Sequence, residues 1–245
     1  MKRVALLIIG DEILDGSVPD TNSGFLTRRI AAAGSEVTRI LVLPDDPAVV
    51  AEELPSLAAA NDFVITSGGI GPTPDDRTYD AVSLAFAVPL VPNPLLTSIV
   101  ARRFTDAERP WAQRMASPPE GSEVIGGGRF AWPLVRFRNI FLLPGVPDIL
   151  EDKFTLIEPS LTSEAFHSGW LKVRARESSF SQAMDVLIRA YPEVRIGSYP
   201  MLEPEPHVRL VVRSKNLHAA SEVLDRLSAL FDDDIKMGLQ PPDFT

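Results

Sequence analysis

The chain contains no cysteine, so disulfides, thiolate zinc sites and a cysteine nucleophile are all excluded. Histidine is nearly as scarce. His167, His207 and His218 lie far apart with no metal-ligand spacing, and packing or surface roles are expected of them. Positive charge is in deficit: 24 Lys and Arg face 33 Asp and Glu, a formal net charge of −9. No basic stripe interleaved with aromatics stands out along the chain. An acidic protein repels the nucleic-acid backbone, so nucleic acid is not an expected partner. No apolar run approaches the roughly 20 residues of a membrane span. The opening run at 4–9 is too short for a signal-peptide core and meets Gly10-Asp11-Glu12 in place of a small-residue cleavage site. No membrane partner is expected, and the expected location is cytoplasmic. Internal repeats, a Gly-x-Ser-x-Gly elbow and a P-loop are also missing.

What is present supports a packed protein. Hydrophobic residues make up 45% of the 245, enough for a substantial core. Residues 4–9 form a continuous apolar run, as in a strand buried on both faces. Asp20, Thr21, Asn22 and Ser23 offer caps for a helix carrying Phe25, Leu26 and Ile30, which Gly34 closes. A strand is expected over Glu36–Leu43. Asp46-Pro47 is an N-cap and first-turn proline pair, opening a helix that contains an unexplained Pro55. A third strand covers 62–66, and a helix follows over Thr78–Phe86. Alternating strands and helices indicate an α/β fold with a mostly parallel sheet.

The middle is less regular. Helices are expected at 93–104 and 108–116, and strands at 122–125, 134–138 and 139–143, the first two of them separated by Gly126-Gly127-Gly128. A helix then reaches about residue 157. A linker is expected over 158–169. Beyond it a strand–helix–strand–strand–helix series implies a small α+β domain, with 238–245 as a loose tail. The expected domains are 1–160 and 169–236.

If the strands are parallel, three loops share one edge of the sheet: Gly10-Asp11-Glu12, Pro44-Asp45-Asp46, and the run from Thr66 to Thr78. Pro144-Gly145 joins the same rim. Open α/β sheets bind ligands at that edge. Gly68, Gly69 and Gly71 let bare backbone approach a ligand, and the following helix start offers amides to an anion. The plain alternative is a tight turn. Asp75, Asp76, Asp45 and Glu12 lie nearby, and carboxylates beside a phosphate call for a cation between them. Mg²⁺ binds in that way, through one or two carboxylates, phosphates and water. Asp46 has a sufficient role as a cap, and Asp76 or Thr78 could cap the helix that follows; Asp45 has no such role. Asn22 and Ser23 could contact a base or ribose, or serve only as caps. Arg102, Arg103, Arg109 and Arg114 form a loose basic group, read as a solvated face.

Together the segments from Ile9 to Gly16, Asp20 to Ser23, Pro44 to Asp46, Thr66 to Thr78 and Leu143 to Pro147 resemble the molybdopterin-binding (MoaB/Mog-like) family. Within it, the resemblance is to the branch at the N-terminus of CinA, the competence/damage-inducible protein. It covers roughly residues 1–160. It implies a three-layer α/β/α core and a phosphorylated nucleotide or pterin as ligand. Family members that build molybdenum cofactor adenylylate molybdopterin with two aspartates and Mg²⁺, which correspond here to Asp45 and Asp76. CinA-like members, and a related domain of FAD synthases, are associated with metal-dependent hydrolysis of ADP-ribose or FAD. The resemblance therefore implies catalysis by Asp45 and Asp76. A divalent metal (Mg, Mn or Co) would be held by Asp45, Asp75 and Asp76. Ligand contacts would come from Gly10, Glu12, Asn22, Ser23, Thr66, Gly68, Gly69, Gly71, Thr78, Pro144 and Gly145. A homo-oligomer, dimer or trimer, is implied as well. Asp11 stands where relatives often have Thr. The deamidase domain of full-length CinA and the synthase domain of the FAD enzymes have no counterpart in these residues, so neither activity is expected of them.

Overall fold

The computed structural model describes residues 1–126, 132–164, 166–202, 207–231 and 236–238. Gly127 and Gly128, and the tail beyond residue 238, lie outside the described residues. The chain divides into two compact units, Met1–Ser163 and Glu164–Thr245.

The first unit carries strands β1 (Arg3–Ile9), β2 (Glu36–Leu43), β3 (Phe63–Ser67), β4 (Glu123–Ile125), β5 (Leu134–Phe137) and β6 (Ile140–Leu143). Its helices are α1 (Asp11–Leu14), α2 (Asn22–Ala32), α3 (Pro47–Ala60), α4 (Thr78–Phe86), α5 (Pro94–Arg103), α6 (Arg109–Ala112) and α7 (Pro147–Leu161). The sheet order is β2-β1-β3-β6-β5-β4. The first four strands are parallel, while β5 and β4 run antiparallel at one edge.

Alternation along β1 builds the layers. Ala5, Leu7 and Ile9 face a core shared with α3, α4 and α5. Val4 and Leu6 face a second core shared with α2 and α7. With both faces covered, β1 must be apolar throughout, and Val4 to Ile9 are all buried. This is a three-layer α/β/α sandwich. Because β2 lies on one side of β1 and β3 on the other, the order of connections reverses between β1 and β3. A crevice opens at the carboxyl ends of the strands at such a point.

Local signals set several boundaries. Asp46 caps α3, accepting from the Ala48 amide at 2.8 Å. Asn93 caps α5, accepting from Leu95 and Leu96. Pro55 lies inside α3 without ending it. The helix expected over 108–116 is α6 followed by a 3-10 turn, Gln113–Ala116. Helix α7 continues to Leu161, past the expected end near 157, because Leu161 is fully buried in the α2–α7 core.

The second unit contains β7 (His167–Val173), α8 (Glu177–Ala190), β8 (Arg195–Met201), β9 (His207–Ser214), α9 (Leu217–Ser228) and β10 (Lys236–Gly238). Strand β7 thus begins inside the expected linker. Strand β10, which was not expected, pairs with β7, giving the antiparallel order β10-β7-β9-β8 and a βαββαβ chain path. Leu171, Val208, Leu210 and Val212 pack with α8 and α9 residues. Alternation puts Trp170, Lys172, Arg195, Tyr199, Arg209 and Arg213 on the opposite face of the sheet. Lys172 is paired in register with Arg209, and Arg195 with Arg213. A cationic, aromatic face is therefore present in a chain whose linear sequence shows no such stripe.

Candidate functional site

A cavity of about 550 Å³ opens at the crevice of the first unit. Its wall includes Gly10 and Glu12 after β1, Asp45 after β2, Gly68, Gly69, Gly71, Asp75 and Asp76 after β3, and Pro144 and Gly145 after β6. The volume lies within the range of small-molecule sites. Asp45 and Asp76, 31 positions apart in sequence, thus share one rim.

The rim is tightly built. Gly68 has φ +112, and a Cβ placed there would lie 2.1 Å from the Ile9 carbonyl oxygen. The backbones of the β1 and β3 loops can approach this closely only with glycine. The Gly68 amide donates to the Leu143 carbonyl at 3.0 Å, so it is not available to an anion. The amides of Gly69, Ile70 and Gly71 are different, donating to no acceptor among the described residues. They are backbone donors that the glycine loop can offer. Gly69 is held at φ +66 against the Thr78 hydroxyl, while Thr78 donates that hydroxyl to Gly68 O at 2.9 Å and its amide to Gly69 O at 2.9 Å.

Four of the expected ligand contacts are not among the residues lining the cavity, and two of them, Asn22 and Thr78, hold the rim from behind. Asn22 is buried, and its Nδ2 donates to Ser67 Oγ at 3.0 Å and to Gly145 O at 2.7 Å. One amide thus ties the β3 and β6 loops together. Asn22 does not cap α2; Asp20 accepts from the Ser23 amide at 2.9 Å. Ser23 takes part through that amide. Thr66 is fully buried within β3, its hydroxyl without a partner. Thr78 is buried under the glycine loop.

The carboxylates are individually positioned. Asp45 Oδ2 accepts from the Asp11 amide at 3.0 Å. Burial pushes the Asp45 carboxyl above the ordinary aspartate range, opposed by that hydrogen bond and reinforced by the charges of Asp11, Glu12 and Asp75. Asp76 does not cap α4. Its Oδ2 accepts from the Thr73 amide at 2.8 Å and the Thr73 hydroxyl at 2.6 Å, and Arg77 occupies the cap position without a side-chain bond. The Thr73 hydroxyl also influences Asp75: with the Asp75 backbone amide and Arg114 it holds that carboxyl below the ordinary range. Arg114 donates to the Thr73 carbonyl. Of the basic group noted in the sequence, this residue braces the acidic loop, while Arg109 binds Asp106 and the carbonyls of Phe104 and Ala101.

No cluster of three or more metal-ligating side chains is preformed among the described residues. The expected metal set of Asp45, Asp75 and Asp76 is thus not gathered into a site, and a cation here would need ligand oxygens and water to complete its shell. Mutual repulsion around Asp45 would give such a cation a favourable field.

Sequence reading missed the rest of the wall: Met115, Trp132 and Pro133 on one side, Val146, Ile149 and Lys153 on α7 and its approach. Lys153 was detectable, since it interrupts the apolar stripe Leu150, Phe154, Ile157 and Leu161. Among the described residues no helix is long and apolar enough to cross a membrane.

Comparison with known proteins agrees with this geometry. The family described as "Probable molybdopterin binding domain" matches residues 5–163, and "FAD synthase, middle domain" matches 165–238. A CinA-like protein of Citrifermentans bemidjiense is 36% identical over 250 residues, covering 95% of this chain and 60% of that protein. A "Probable FAD synthase" of Caenorhabditis elegans is 33% identical over 230 residues, covering 82% of this chain and 44% of the worm protein. The chain thus spans about half the length of these two relatives. The crystal structure of CinA from Thermoplasma acidophilum, a protein of unknown function, matches with a TM-score of 0.60 and 24% identity. It covers 66% of this chain and 100% of that one, and shows the shared fold. The chain belongs to the molybdopterin-binding domain family, in its CinA-like branch.

Proposed function

We propose that this protein binds a nucleotide-type diphosphate at the rim of the first unit and hydrolyses its P–O–P bond with a divalent metal. ADP-ribose and FAD are the substrates proposed. One observation carries the reading: Gly69, Ile70 and Gly71, whose amides have no acceptor among the described residues, line a single cavity with Glu12, Asp45, Asp75 and Asp76. Amides receive phosphate oxygens, while carboxylates beside them need a cation. Asp45 and Asp76 would hold Mg²⁺, Mn²⁺ or Co²⁺, with Glu12 or Asp75 completing the set. When bound, such an ion neutralises phosphate charge and lowers the pKa of a water. The chain's own part is positioning. Gly68 lets the loop close onto β1, Asn22 fixes the β3 loop against Gly145, and Thr73 holds the Asp76 carboxylate in one orientation. Fixed donors of this kind lower a barrier through placement and preorganised charge. The name of one relative, a probable FAD synthase, points to the same ligand class.

The family description names a pterin as ligand, and the second reading is transfer of AMP from ATP to a pterin phosphate. The test is a metal-supplemented screen on nucleotide pyrophosphates, run with wild type and Asp76→Asn. Turnover in wild type that disappears in a folded Asp76→Asn supports hydrolysis. Adenylylated pterin made from ATP supports the second reading. Recovery of intact ligand after long incubation with metal leaves a binding module.

A further inference from the structure

One ionisable side chain in the cavity wall has no role in the reading above. Lys153 on α7 is 1% exposed. It occupies the same buried helix face as Leu150, Phe154 and Ile157, each fully buried. Its Nζ lies 3.0 Å from Asp152 Oδ2. Among the described residues lining the cavity it is the only cation, while the other charged ones, Glu12, Asp45, Asp75 and Asp76, are carboxylates.

A buried ion pair adds little to fold stability. Withdrawing an ammonium from water is costly even beside a counter-ion, and exchanging a buried ion pair for an apolar group of similar volume is often neutral or stabilising. Methionine would fill the slot and suit the helix. Topology separates the two kinds of charge. Asp45 follows β2, whereas Lys153 is on the helix that follows β6. Those strand ends are three places apart in the sheet, roughly 14 Å at ordinary strand spacing. Glu12 follows β1 and Asp75 and Asp76 follow β3, between those two ends, so the acidic rim stops one strand short of the helix that carries the cation.

We infer that Lys153 fixes the phosphoryl group of the ligand that lies farther from the acidic rim, and so selects diphosphates over monophosphates. This rests on the nucleotide-diphosphate reading and deepens it. A ligand with two phosphoryl groups satisfies both sides of the cavity, whereas a monophosphate reaches only one.

The test compares ADP-ribose with AMP by titration calorimetry, with Mg²⁺, in wild type and Lys153→Met, alongside thermal melts and steady-state kinetics. Wild type is expected to favour ADP-ribose. Lys153→Met is expected to weaken ADP-ribose binding tenfold or more, leave AMP binding unchanged and raise KM with little change in kcat; removing one partner of a buried pair lowers its melting point, which Lys153→Met/Asp152→Asn is expected to recover. Unchanged ADP-ribose affinity, equal weakening for both ligands, or a lower melting point with affinity intact would overturn the inference. Should Lys153→Met unfold, Lys153→Met/Asp152→Asn removes the paired carboxylate as well; collapse of both variants would show the pair to be structural and overturn it too. Binding without turnover in wild type, with selectivity lost in Lys153→Met, removes the hydrolase reading and keeps this one. Turnover with affinity and KM unchanged in Lys153→Met does the reverse. Failure of wild type to bind either nucleotide removes both.

Discussion

Replacing Gly68 by alanine tests whether the rim depends on backbone contact. At φ +112 an L side chain is strained wherever space exists, and here there is none, with the Ile9 oxygen 2.1 Å from the new Cβ. The conformational penalty is about 1–3 kcal/mol. Pushing two backbones apart adds a further cost of about 1–3 kcal/mol, as for an overpacked core. A total of about 2–6 kcal/mol corresponds to a fall in melting temperature of about 4–24 °C for a unit of this size. Scanning calorimetry of Gly68→Ala is the assay. Gly126→Ala is its control, since a Cβ there meets nothing within 4 Å, and a change within about 1 kcal/mol is expected. Nucleotide affinity should fall in the first variant only. A melting point within about 2 °C of wild type, with binding intact, would show that the loops part freely and that close approach is not what the glycine supplies.

Further outcomes follow from the same geometry. Asn22→Ala strands Ser67 Oγ and Gly145 O, so a loss of about 1–3 kcal/mol is expected in chemical denaturation, together with weaker ligand binding. Asp45→Asn acts in the other direction. A carboxyl whose folded-state pKa is raised favours folding below its unfolded value, and that contribution is lost as pH rises through the folded one. Near pH 8 the ionised Asp45 is therefore a liability. Asp45→Asn should melt above wild type there, with the advantage shrinking toward pH 4, while metal-dependent activity disappears. Ala87 ends α4 in the left-handed region at φ 52, ψ 45. Ala87→Gly should gain about 1 kcal/mol without touching activity, read from denaturant midpoints.

Features governed by neighbouring residues were legible in the sequence. The bounds of β2 and α4 coincide with the expected ones, and Asp46-Pro47 opens α3 as read, because apolar runs and caps act over a few positions. The gathering of glycine and carboxylate loops on one rim was legible because parallel strands leave little choice of edge. What escaped depends on distant partners. Thr73 takes Asp76 away from the helix it precedes. Asn22 looks like a cap until β6 is in place. Strand β10 is recognised only against β7. The cationic face of the second unit stayed hidden because Lys172, Arg195, Arg209 and Arg213 come from three strands and alternate with core residues such as Leu171 and Leu210. Lys153 is the exception, since one charge on an otherwise apolar helix face was visible and was passed over.

The hydrogen bond from Asn22 to the Gly145 carbonyl joins positions 123 residues apart, and this has a kinetic consequence. Strands β1, β2 and β3 can associate while the chain is short, since their crossovers are local. The bond that locks the glycine loop to its neighbour forms only after β6 has inserted beside β3, against a larger closure entropy. A growing polypeptide that has not reached Gly145 therefore displays the first loops without their clamp. Ligand recognition is thus acquired late in chain assembly, as a property of the finished sheet.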